Sequence, residues 1–290
     1  MRRTCSRWRA GRGSKSRCKK HSYLMQRENA GYSALISQFG REYVLAFWSK
    51  YVAKKPGPGK CVHCLGQFDI RNWDHVLPRS WYPDSTPLNL EKWQIPTCKK
   101  CNSDYGKIEE ELLVMLAMTI DPEGHASSGI YQRALRSVDE SLGRGKRDRM
   151  ARRAKRERVI GSLLHGDDIP AEGIYPGLGE RWARARADQI AFVIPANHIR
   201  RFCEKIVRGI TYREDGLFIE PPFQVDFYAL NADGAEPIQR MLDRHGLTYT
   251  RGPGFEVTRV VPPDEPRAAM FKITLFGEFV MYAFVSRPEG

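Results

Sequence analysis

The sequence predicts an α+β protein, and three observations predict it. Two Cys-x-x-Cys pairs bracket a proline-broken stretch in the first half, apolar residues recur at three- and four-residue steps through the middle, and apolar and polar residues alternate in the last hundred positions. At 290 residues the chain can bury a sizeable core, and with 41% hydrophobic and 11% aromatic residues it has the composition of a globular protein. The longest apolar stretch, Leu112 to Ile120, is nine residues long and follows three glutamates, too short to cross a bilayer.

Taken in order, residues 1–30 are rich in Gly, Ser and Arg and read as a flexible basic arm. From Glu42 to Ala53 the positions Val44, Phe47, Trp48 and Tyr51 form one helical stripe, which the KKPGPGK segment from Lys54 to Lys60 ends. Between Cys61 and Cys101, Pro78, Pro83, Pro87 and Pro96 allow turns and a β-hairpin but no long element. Tyr105 to Ile120 then reads as a helix, with Glu109, Glu110 and Glu111 near its start. Helices at Ser128 to Leu142 and Lys146 to Ile160 make residues 121–188 a helical basic connector. Residues 189–290 read as a C-terminal α+β domain: a strand at Ile190 to Ile194, a helix at Asn197 to Arg208 stopped by Gly209, and antiparallel strands. In those strands Val225, Phe227 and Ala229 share a face, as do Phe271, Ile273 and Leu275, and Phe279, Met281 and Ala283 follow Gly277 as a hairpin partner.

Charge narrows the function. There are 47 Lys+Arg against 34 Asp+Glu, and the excess of +13 lies in two blocks. Residues 1–27 hold ten basic residues and no acid, and residues 144–158 hold nine basic residues against Asp148 and Glu157. Local blocks of this kind suit a polyanion, because each phosphate neutralised releases condensed counterions. An N-terminus of this composition is also compatible with an organelle transit peptide.

Seven cysteines is an odd number, and the start has no secretory pattern, so a reducing compartment is expected. Cys61, Cys64, Cys98 and Cys101 pair as two Cys-x-x-Cys units with 33 residues between them, four thiolates suited to a tetrahedral structural Zn²⁺. Leu65 and Asn102, not His, follow the second cysteines, which disfavours haem attachment. Cys5, Cys18 and Cys203 are left over.

Between the pairs lies Asp74-His75-Val76-Leu77-Pro78-Arg79-Ser80, and Asn102 follows the last cysteine. The order Cys-x-x-Cys, Asp-His-hydrophobic-hydrophobic-Pro-x-Ser, Asn, Cys-x-x-Cys-Asn resembles the HNH endonuclease family over residues 58–120. The resemblance implies a zinc-buttressed, treble-clef-like ββα-metal domain spanning residues 31–120. It further implies that His75 activates water and that Asp74 and Asn102 hold one Mg²⁺ or Mn²⁺. Asn89 is the candidate for the family's middle Asn, which orients the loop, although it stands 13 residues before Asn102 where common members have a shorter gap. Tyr105 departs from the Lys of many members, and Lys107 stands nearby. The residues alone support the same chemistry: phosphodiester hydrolysis needs a base, which a neutral imidazole supplies near pH 7, and a cation beside the phosphoryl oxygens. Arg79, Lys99 and Lys107 are candidate phosphate-binding cations.

The expectation is therefore a cytoplasmic bacterial or phage HNH endonuclease, cutting DNA, double-stranded for preference, with structural zinc and a catalytic Mg²⁺ or Mn²⁺. Two alternatives stay open: a non-catalytic zinc-containing nucleic-acid-binding protein, and an RNase using the same site.

Overall fold

The structure, a computed structural model, describes residues 55–170, 185–230 and 232–288. The basic arm at 1–30 and the helix expected at Glu42 to Ala53 lie outside the described residues. Residues from Lys54 onward cluster as one unit, and its fold is mixed α+β.

The first elements are small. Strands β1 (Gly59–Lys60) and β2 (Gln67–Phe68) pair antiparallel around the turn that carries Cys61 and Cys64. Arg71 ties this turn down through the carbonyls of Gly57 at 2.8 Å and Lys60 at 2.7 Å. Strand β3 (Asn72–His75) pairs antiparallel with β4 (Gln94–Thr97), Asp74 opposite Ile95 and His75 opposite Gln94. The strands are not joined by a tight turn: the segment between them makes a 3-10 turn at Arg79–Trp81 and is held against a later helix. Arg133 donates to the carbonyls of Ser80 and Tyr82, each at 2.7 Å, and the Asp84 amide donates to Ser128 O at 2.9 Å.

Helix α1 (Lys99–Ala117) follows β4 directly. It begins earlier than its apolar spacing predicts, because the sulfur of Cys98 caps it by accepting from the Cys101 amide at 3.4 Å. Asn102 thus sits in the first turn, with its own amide bonded to Cys98 O at 3.1 Å. Helices α2 (Ile130–Val138) and α3 (Lys146–Gly161) form the middle stretch. Ion pairs Lys155–Glu110 (2.8 Å) and Arg158–Glu111 (2.7 Å) join α3 to α1. A small ladder of β5 (Leu163–His165) and β6 (Ile190–Phe192) precedes the long helix α4 (Ala196–Asp215).

Helix α4 corrects one expectation. Gly209 does not stop it; the helix runs to Asp215 and ends at Gly216, whose φ of 70° is the left-handed conformation glycine adopts without strain. Gly209 instead permits close contact, since a Cβ there would lie 2.9 Å from both methyls of Val76. The buried residues Ile199, Phe202, Cys203, Ile206, Val207 and Ile210 make α4 a central part of the core of the described residues.

The C-terminal sheet has five antiparallel strands: β7 (Gln224–Tyr228), β8 (Leu247–Thr250), β9 (Phe255–Val260), β10 (Ala269–Leu275) and β11 (Phe279–Ser286), in the order β7-β11-β10-β9-β8. Phe271, Ile273, Leu275, Phe279, Met281 and Ala283 are buried, in agreement with the alternation in the sequence, and Gly277 lies in the β10–β11 turn with φ 76°. Helix α5 (Ala232–His245) and strands β8 and β9 escape the sequence reading. One hydrophobic core contains Val62, Val76 and Trp81 of the cysteine-bracketed segment, Leu112 and Leu116 of α1, Phe202 of α4 and Phe271 of β10. Trp81 stacks on Phe202 at 4.5 Å between ring centroids, so the segment beyond His75 is anchored on α4.

Candidate active site and metal centre

The four cysteines converge. The sulfurs of Cys61, Cys64, Cys98 and Cys101 all lie within 4.8 Å of one another. Cys64 Sγ is 3.9 Å from Cys98 Sγ, near the ~3.8 Å edge of a tetrahedron built on Zn–S bonds of about 2.3 Å. The Cys98 amide also donates to Cys61 Sγ at 3.3 Å. The side chain of Cys101 and neighbouring backbone amides pull the Cys61 thiol down to about 4, against the effect of burial. Four soft, close donors of this kind could hold a metal ion such as zinc.

Beside the cluster, β3 presents the Asp-His pair. Asp74 is buried, at 6% exposure, and both of its oxygens are engaged. Oδ1 accepts from Lys205 Nζ of α4 at 3.1 Å, and Oδ2 accepts from His63 Nε2 at 3.4 Å. Burial pushes the Asp74 carboxyl up, but the His63 bond and the Lys205 charge together outweigh it and hold the group below its ordinary range. Lys205 also donates to Glu109 of α1, whose carboxyl is raised because burial outweighs the attraction of that ammonium. The ring of His63 lies 4.5 Å from that of Tyr105, and Lys205 Nζ is 5.7 Å from the Tyr105 centroid.

His75 occupies the opposite face of the strand, as alternation requires. It is half-buried, and its Nε2 is 3.1 Å from the side-chain amide nitrogen of Gln94, its cross-strand partner. Burial lowers its pKa, the Asp74 charge opposes that shift, and the cations Lys205, Arg79 and Lys92 reinforce it, so the imidazole is neutral at pH 7. Lys92 stands two residues before Gln94 and carries its ammonium 5.2 Å from the Tyr82 ring centroid.

The other sequence candidates are dispersed around this centre. Asn102 is half-buried in the first turn of α1, and Arg79 is exposed on the 3-10 turn after His75. Lys99 and Lys107 are exposed on α1. Asn89 is exposed in the segment before β4 and makes no side-chain hydrogen bond among the described residues; the amide against His75 belongs to Gln94. His63, Gln94, Lys92 and Lys205 stand outside the motif. Gln94 had no signal, since its pairing with His75 comes from the β3–β4 register, and His63 had one in its place between two cysteines that could hold a metal. Lys205 is 131 residues from Asp74 and left no local signal.

On α3 and just before it, Arg144, Lys146, Arg147, Arg149 and Arg156 are exposed and make no side-chain ion pair among the described residues. No described helix is long and apolar enough to cross a membrane. No protein-family model, no curated protein and no solved structure matches the chain.

Proposed function

We propose that this chain is an HNH-type, metal-dependent endonuclease acting on DNA. The observation that carries the reading is the setting of His75: a neutral, half-buried imidazole next to Asp74, on the first strand of a β3–β4–α1 unit clamped by four cysteine sulfurs.

His75 takes the proton from the attacking water. Gln94 selects the nitrogen that does so. With the Gln94 amide turned so that its oxygen accepts from Nε2–H, Nδ1 keeps its lone pair and serves as the base. Arg79 and Lys92, whose charges act on His75, suit the phosphodiester's negative oxygens. The Asp74 carboxylate and the Asn102 amide are hard oxygen donors of the kind Mg²⁺ and Mn²⁺ take, and each Asp74 oxygen has a lone pair beyond its present bond. Such an ion, when bound, offsets charge on the phosphoryl and departing oxygens. The four-cysteine cluster supports the reading as a structural zinc site, and the exposed cations of α3 support it as a surface that holds the DNA backbone without reading bases.

A second reading is a zinc-held nucleic-acid-binding module without catalysis. It is favoured by the engagement of both Asp74 oxygens by Lys205 and His63. Matched DNA and RNA duplexes, each incubated with the protein in Mg²⁺ or Mn²⁺ and again in EDTA, separate the readings. The nuclease reading predicts metal-dependent DNA cleavage that EDTA silences. Shifted but uncut DNA would support the module, and cleavage of RNA alone would make the protein an RNase.

A further inference from the structure

Lys205 is fully buried, at 0% side-chain exposure, and a buried lysine is rarely kept for packing alone. An apolar side chain of similar volume would avoid the desolvation of its charge. Its ammonium joins Asp74 of β3 to Glu109 of α1, and Asp74 in turn accepts from His63, which sits between Cys61 and Cys64. A polar chain thus runs from His63, in the turn that carries Cys61 and Cys64, through Asp74 of β3 to Lys205 of α4 and Glu109 of α1. The helix face that makes it is set by four-residue spacing: Arg201 lies over Tyr105 at 5.2 Å, Lys205 binds Asp74, and Gly209 lets the backbone come up to Val76. Two of these contacts fall on the neighbours of His75, Asp74 and Val76, and the third falls on α1.

We infer that Lys205 is a positioning residue of the hydrolytic site: its ammonium fixes the Asp74 carboxylate, and through it the strand that presents His75, making helix α4 a working part of the centre. This rests on the nuclease reading given above. The inference gives the C-terminal half a role in the reaction that its own residues, away from α4, do not suggest. It also predicts that residues 55–120 alone, even with metal on the cysteines, would present His75 poorly.

The test uses the full chain. Lys205→Met alone leaves two buried carboxylates without their cation and is prone to unfold, so Lys205→Met is combined with Glu109→Gln, which removes one charge of each sign. Lys205→Arg serves as the conservative variant. Two readouts are taken, amide hydrogen exchange without nucleic acid and steady-state DNA cleavage, with zinc content and melting temperature as controls for folding. The double variant is expected to keep its zinc and its slow exchange in β10 and β11, while the amides of residues 72–76 exchange about tenfold faster or more. Its kcat should fall by up to about 100-fold with KM for DNA little changed, and Lys205→Arg should restore part of the loss. Unchanged exchange at residues 72–76, or a kcat within about twofold of the parent, overturns the inference. A parent protein that cuts no DNA defeats the nuclease reading instead, and the exchange pattern then decides the positioning role by itself.

Discussion

At His75 the ring and the amide that meets it can be removed separately. On the nuclease proposal, His75→Ala deletes the proposed base and is expected to lower the cleavage rate by about 10²–10⁴-fold, while DNA affinity in a gel shift stays near the parent value. Gln94→Ala leaves the base but frees its ring, and is expected to cost up to about 100-fold in rate, because a misplaced reacting group loses most of its advantage. A Gln94→Ala rate equal to the parent's would show that the amide plays no part. The Asp74-His75 pair and Asn102 stand out as candidates in the sequence because they lie inside the motif bracketed by the cysteines. Gln94 is not, since its partnership with His75 is created by the β3–β4 register, and the family pattern points to Asn89 for a similar task. Lys205 is hidden for a related reason, whereas His63 at least stands between two cysteines in the sequence. A side chain that acts by contact across the fold, as Lys205 does, has no periodicity and no neighbour in the sequence that announces it.

Among the elements, α4 shows where local rules mislead. A glycine after an apolar stripe reads as a helix stop, but Gly209 is selected by what faces it: the two methyls of a fully buried, β-branched Val76 that cannot swing aside. Gly209→Ala should therefore destabilise the protein in spite of alanine's better helix propensity. Overpacking costs about 1–3 kcal/mol against a gain of about 1 kcal/mol. In a double-mutant cycle the same change should cost less beside Val76→Ala; equal costs in both backgrounds would show that the contact does not govern the position. The start of α1 is displaced for a different reason. Its cap is a cysteine sulfur, not one of the usual Ser, Thr, Asp or Asn residues, so in the sequence it signals metal chemistry and no helix start. Helix α5 has an apolar stripe of Ala235, Ile238 and Leu242 but carries Pro237 inside it, which in the sequence reads as a helix breaker, and β8 is a four-residue strand of mostly exposed residues with no buried face to announce it. Strand β10 is legible because its burial alternates strictly, and β11 because alternation holds over most of its length, although Met281, Tyr282 and Ala283 are all buried.

Over the whole molecule, the cysteine cluster and the core are one system. Val62 and Val76 share a hydrophobic cluster with α4 and the five-stranded sheet, so removing a metal held by the cysteines, as proposed, should be felt well beyond them. Structural zinc in small peptides supplies roughly 10–16 kcal/mol of apparent binding free energy. Chelation, or Cys98→Ser, is accordingly expected to lower the melting temperature of the described unit as a whole; loss of zinc without any shift would mean that the cluster is not a structural centre. On the same proposal, the basic helix α3 acts at this scale too. Replacing exposed Arg147, Arg149 and Arg156 by Gln should weaken DNA binding without affecting folding. The slope of log affinity against log salt should shrink by about 2–3, since each phosphate that is no longer neutralised removes about 0.9 from it.

The nuclease proposal stands or falls on His75 as a hydrolytic base. Conversion of supercoiled plasmid in Mg²⁺ or Mn²⁺, by the protein and by His75→Ala purified identically, reads that role without an intermediate step. The parent is expected to nick or linearise the plasmid, and His75→Ala to leave it supercoiled. Equal conversion by both proteins, or none by either, would refute the assignment.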